Sequence, residues 1–174
     1  MGWMLAALVA VQGLVAGQSI PAETLTAPMP KEFKVGFTGA QGGQSIEERV
    51  PTGETVQNWT RMLTIQRFGG MAPMGTHALA ERLGGMMAQA CPGATVAPVV
   101  DGTDRTDGRV TATASLRVAC PINPSTGKPE TMIARAFQGT TDLHMAQYAW
   151  RSIPDAAQVA AATAWLASVR LGSA

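Results

Sequence analysis

Apolar and polar positions alternate with a period of two along much of this chain, and two stretches shift to a helical period. Phe33, Val35 and Phe37 alternate with Lys34 and Gly36, which predicts a half-buried strand over 32–38. Ala40-Gln41-Gly42-Gly43 supplies turn chemistry, and 44–50 reads as the returning strand. There Ile46 sits among Glu47, Glu48 and Arg49, so one face is wet or the strand is an edge. Pro51-Thr52-Gly53-Glu54 is a turn. In 55–68, Val56, Trp59 and Leu63 keep helical spacing, whereas Thr64, Ile65 and Phe68 favour sheet. We read a helical turn at 55–58 and a strand at 60–68.

Residues 76–90 predict a helix, with Thr76 as N-cap and Leu79, Leu83, Met86 and Met87 on one stripe. Gly84-Gly85 weakens it by about 1 kcal/mol per glycine relative to alanine, and lets it approach a sheet closely. Cys91-Pro92-Gly93 ends it. Residues 94–100 read as a strand that Pro98 confines to an edge, and 101–108 as a hairpin loop. The cleanest alternation lies in 109–119. It places Val110, Ala112, Ala114, Leu116 and Val118 inward, and Thr111, Thr113, Ser115 and Arg117 outward. A turn at 123–128 and strands at 130–138 and 142–151 follow. The last helix is expected over 153–170, with Ser152 and Asp155 as a capping box, Pro154 in its first turn and Gly172 as its stop. Val159, Ala162, Leu166 and Val169 give its core stripe, with Trp165 beside it. The order β-β-β-α-β-β-β-β-α with short turns predicts an α+β fold, mainly antiparallel, packed with two helices.

Two sets of motifs resemble small exported bacterial proteins of the Mog1/PsbP-like class. The first is Glu48-Arg49-Val50-Pro51-x-Gly53-Glu54 followed by Trp59-Thr60-Arg61-Met62-x-Thr64. The second runs through Gly127-Lys128-Pro129-Glu130, Gly139-x-x-Asp142-Leu143 and Gln147-Tyr148-Ala149-x-Arg151 into the final helix. The resemblance implies an antiparallel sheet sandwiched by helices and a binding or accessory role. It brings no shared active site.

The first residues change the picture further. Residues 3–16, WMLAALVAVQGLVA, are apolar but shorter than the roughly 20 residues of a membrane span. With small residues at Val15-Ala16-Gly17, they read as an export signal over 1–17 cleaved before Gln18, although no Lys or Arg precedes the run. Residues 18–31, polar and proline-rich, read as a flexible leader, and 32–174 as one domain. The expected mature protein is soluble, periplasmic or secreted, and makes no stable membrane insertion. Cys91 and Cys120 are the only cysteines, and in an oxidising compartment they are expected to form a disulfide.

Charge and candidate chemistry narrow the function. With 13 basic and 12 acidic residues the net charge is +1, and no basic excess marks a nucleic-acid binder. No G-x-S-x-G, P-loop or H-E-x-x-H occurs. His77 and Glu81 stand at i, i+4, and Asp101, Asp104 and Asp107 crowd one loop, but neither set matches a metal motif. We therefore expect no metal, no cofactor and no catalytic residue. Trp59, Arg61 and Arg67 in one segment, and His144, Tyr148, Trp150 and Arg151 in another, have the composition of interface anchors. The competing reading places the tryptophans in the core. The functional expectation is a non-catalytic binding or accessory protein of the bacterial cell envelope, with an envelope or periplasmic protein as partner. Two alternatives stay open: an exported enzyme of unrecognised type using His144 or His77 with Glu81, and a small-ligand or lipid carrier lined by Met86 and Met87.

Overall fold

The structure, a computed structural model, describes residues 23–106 and 108–173. The expected signal over 1–17 and its cleavage point lie outside the described residues. Along the chain come β1 (Glu23–Thr26), β2 (Phe33–Gln41), β3 (Gln44–Pro51), β4 (Arg61–Phe68), α1 (Thr76–Ala90), β5 (Thr95–Val96), β6 (Val100–Thr106), β7 (Arg109–Asn123), β8 (Lys128–Gln138), β9 (Leu143–Trp150), α2 (Ala156–Ser168) and β10 (Arg170–Ser173). The fold is α+β, and every strand pair is antiparallel. One sheet runs in the order β2-β3-β4-β9-β8-β7-β5, with β6 also on β7; β1 and β10 form a separate ribbon.

Both faces of the sheet are used, because alternate residues of its central strands meet different helices. On β9, Leu143, Met145 and Ala149 pack into clusters that include Leu79 and Ala80 of α1. Ala146, Tyr148 and Trp150 of the same strand pack with Ala162, Trp165 and Leu166 of α2. The helix α1 lies on β5, β7 and β8, and α2 on β8 and β9. The ribbon seals the α2 face through Leu25, Val169 and Leu171. Phe33 and Leu63 still join the α2 cluster and Val50 and Met62 the α1 cluster, while the far ends of β2, β3 and β4 extend as a wing beyond both helices. Close approach of α1 to the sheet depends on Gly84: a Cβ there would stand 2.8 Å from Val96 Cγ1 and 3.2 Å from Leu116 Cδ2. Cys91 and Cys120, 5.9 Å apart at Cα, form the disulfide that ties the end of α1 to β7.

Several sequence expectations change. Within the stretch read as a flexible leader, Glu23–Thr26 is a strand, paired residue for residue with Arg170–Ser173. That pairing ends α2 at Ser168 and puts Gly172 inside a strand instead of at a helix stop. A bulge between Val35 and Phe37 breaks the alternation of β2, and both side chains are 47% exposed on the outer strand. The loop expected at 101–108 is mostly β6. In β7 the inward set begins at Ala114: Val110 is half exposed, whereas Thr111 and Thr113 are buried. The physical reason is that α1 does not reach this end of the strand, while the opposite face is closed there by β10 against β6. Gly75, not Thr76, caps α1, and Thr76 is its first, buried residue. Asp155 caps α2 by a capping box with Gln158, so Pro154 precedes the cap. On α1 the buried side is Leu79, Ala80 and Gly84, and Met86 is 58% exposed.

Candidate functional site

The residues singled out from the sequence do not form one surface. Pleat parity sends them to opposite faces. Tyr148 and Trp150 are buried under α2, where Tyr148 meets Phe33 and Trp165 edge-on, with ring centroids 6.3 and 6.0 Å away. Arg61 lies 5.1 Å over the Phe33 ring and pairs with Glu32 at 3.6 Å. Trp59 is buried on the α1 face, and Arg151 covers its ring at 4.3 Å. Arg151 also donates to the carbonyl of Gln57 at 2.9 Å, which fastens the loop before β4 to the end of β9. These five residues hold the fold together.

Arg67 and His144 do meet. They are direct partners across β4 and β9, and both line a cavity of about 580 Å³ between β1 and the wing. Glu23, Thr24 and Leu25 form one wall; Thr38, Ser45, Glu47 and Arg49 form the other. The charged side chains are paired. Glu47 accepts from Arg49 Nε at 2.6 Å, and Asp142 accepts from Arg67 Nε at 2.6 Å and from the Gly70 N–H at 2.8 Å. Glu23 accepts from the N–H and hydroxyl of Thr140 and pairs with Arg109. It sits against Gly139, where a Cβ would come 2.5 Å from its Oε2, so this hairpin corner requires glycine.

Burial works against the charged form of Glu23, but Thr140 and Arg109 hold its carboxyl below the usual range. Burial likewise opposes ionisation of Asp142, and the Gly70 N–H, Arg67 and Thr141 reverse it. His144 is 1% exposed, and its Nε2 has no hydrogen-bond partner among the described residues. Burial pushes its pKa down; Asp142 and Glu23 oppose this too weakly to cancel it. The imidazole is therefore neutral near pH 7. Glu23, Glu47, Arg49 and Asp142 were not foreseen as site residues. Glu23 lies in a segment that read as leader, and the others read as ordinary strand polarity.

His77 has a different setting. Half exposed on α1, it lies 3.0 Å from Asp101 and 3.5 Å from Glu81. The bond to Asp101 raises its pKa. This is an open surface cluster, set apart from the lining of the cavity that holds His144.

The α1 face carries a second concavity. Because α1 leaves the wing uncovered, two hollows of about 370 and 220 Å³ run beside the helix and share Gln66. Met86, Met87 and Phe68 supply apolar lining, and Gln44, Thr64, Gln66 and Gln147 line the floor. Gln147 donates to Gln66 at 2.7 Å. Glu48 shares this groove, and burial pushes its carboxyl upward. Phe37, nearly half exposed, lines an adjoining hollow with Gln66 and Phe68.

Among the described residues, no group of three or more His, Cys, Asp or Glu is placed to hold a metal ion, and no helix is long and apolar enough to cross a membrane. No protein-family model matches the chain, and a search of curated proteins finds no match.

Proposed function

We propose that this chain is an exported, non-catalytic binding or accessory protein of the bacterial cell envelope. It grips an extended segment of a partner protein in the groove between α1 and the β2–β4 wing. One observation carries this reading: α1 leaves part of its sheet face uncovered, and the concave strip there is edged by half-exposed Phe37 and Met86. Exposed apolar side chains gathered in a concavity favour a partner over water. The amides of Gln44, Gln66 and Gln147 match the backbone groups of an extended peptide. Export is supported by the Cys91–Cys120 disulfide and by the apolar segment at 3–16. We place the fold in the Mog1/PsbP-like sandwich class, supported by the antiparallel sheet with one helix on each face.

The test is site-specific photo-crosslinking in the native host. A photoreactive residue at Met86 should capture one reproducible partner, and Phe37→Asp should abolish the capture. The same group at Val35, exposed elsewhere on the wing, should not capture it. Equal capture from both positions, or none from Met86, refutes the groove as the binding surface.

A further inference from the structure

The cavity under β1 meets the α1 groove at Ile46 and Gln66, but its charged lining sets its chemistry apart. Its lining holds two carboxylates, Glu23 and Glu47, and two guanidinium groups, Arg49 and Arg67. Each is paired with an opposite charge. A carboxylate ligand would meet Glu23 and Glu47, and an ammonium ligand would meet Arg49 and Arg67. Either would also lose its hydration without gaining a free counter-charge. A neutral polar ligand carries no such penalty. Hydrogen-bonding capacity remains unused: Arg67 bonds only through Nε and Glu47 only through Oε1 among the described residues. The decisive group is His144. Its ring is almost wholly buried at the cavity, and its Nε2 has no partner among the described residues. A buried polar atom left without a partner is uncommon in folded proteins and calls for an explanation.

We infer that this cavity is a binding site for a neutral, hydroxyl-rich ligand of the saccharide class, with a ligand hydroxyl completing the hydrogen bonding of His144. Nε2 is sealed from solvent in this structure, so binding requires the ring to turn toward the cavity; a hydroxyl both donates and accepts, so it then satisfies Nε2 in either tautomer. Neighbouring hydroxyls reach the free nitrogens of Arg67 and the free oxygen of Glu47. Charge-assisted bonds of this kind orient a polyol without adding net charge to the cavity. Ser45 and Thr38 border the opening and add no charge.

The test observes the ring nitrogens of isotopically labelled histidine by NMR in the full chain. The chain has two histidines, so half-exposed His77 is an internal control. The probes are N-acetylglucosamine and maltotriose, with acetate and methylammonium as charged comparisons. The expected result is a saturable displacement of the His144 signals by at least one saccharide, no displacement of His77, and no response to the charged probes. Ser45→Trp fills the cavity and should abolish the response. Thr38→Trp blocks the same space from the exposed outer strand and replaces that variant should Ser45→Trp fail to fold. The inference is overturned if neither saccharide moves His144, if acetate or methylammonium moves it instead, or if the displacement survives the blocking tryptophan. None of these outcomes depends on crosslinking at Met86.

Discussion

Removing the Cys91–Cys120 bond gives the most quantitative check on how this small fold is stabilised. The double substitution Cys91→Ala with Cys120→Ala leaves the native contacts of α1 and β7 largely in place and releases the unfolded chain. The cysteines are 29 residues apart, and closing a loop of that length is worth about 3.6 kcal/mol at 25 °C in the chain-entropy relation. Both cysteines are only 2% exposed, so removing the two buried Sγ atoms adds a packing loss and makes the entropic figure a lower bound. The assay is urea unfolding followed by tryptophan fluorescence, since Trp59, Trp150 and Trp165 are all buried. With a slope of about 2 kcal/mol per molar urea, the midpoint should fall by at least about 1.8 M. Wild-type protein unfolded under a strong reductant should match the double variant. A fall of less than about 0.5 M, or a reduced wild type that stays as stable as the oxidised one, would refute the reasoning.

Three further outcomes follow from named contacts. Gly85→Ala meets open space and should stabilise the chain by up to about 1 kcal/mol through helix propensity, whereas Gly84→Ala must push against Val96 and Leu116 and should lower the urea midpoint. Asp155→Ala removes the acceptor for the Gln158 N–H and half of a capping box, so thermal unfolding should show a loss of about 1 kcal/mol. The folded pKa of His144 is below its ordinary 6.5, so the unfolded chain binds the proton first; stability should fall as pH drops through 6.5 toward the folded value. Glu23 on β1, Arg67 on β4 and Asp142 before β9 face this histidine, and the lowered carboxyls of Glu23 and Asp142 add their own loss only in stronger acid. His144→Gln should flatten the unfolding midpoint between neutral pH and the onset of carboxyl titration, and an unchanged slope there would show that another group carries it.

Local signals made much of the fold legible. The span of α1 followed from its apolar stripe and from Cys91-Pro92-Gly93, and β8 and β9 matched stretches read as strands set off by turns. What alternation could not supply is which face is covered. Thr111 and Thr113 are inside because β10 closes on β6 there, a contact between distant parts of the chain. The ribbon of β1 with β10 escaped for the same reason: four polar-looking residues at each end become a strand only through each other. The site was half legible. Arg67 and His144 were singled out separately for their chemistry, but the register that pairs them across β4 and β9 exists only in the folded sheet. Trp59, Tyr148 and Trp150 carry the residue types of an interface, and their positions in the pleat turn them into core instead.

The most direct test of the account is the intact mass of the protein recovered from the periplasm of its native host. The account predicts a chain that begins at Gln18 and is two hydrogens lighter than its residues sum to, the signature of the closed Cys91–Cys120 bond. Material found only in the cytosol, still beginning at Met1 and carrying both thiols free, would contradict it.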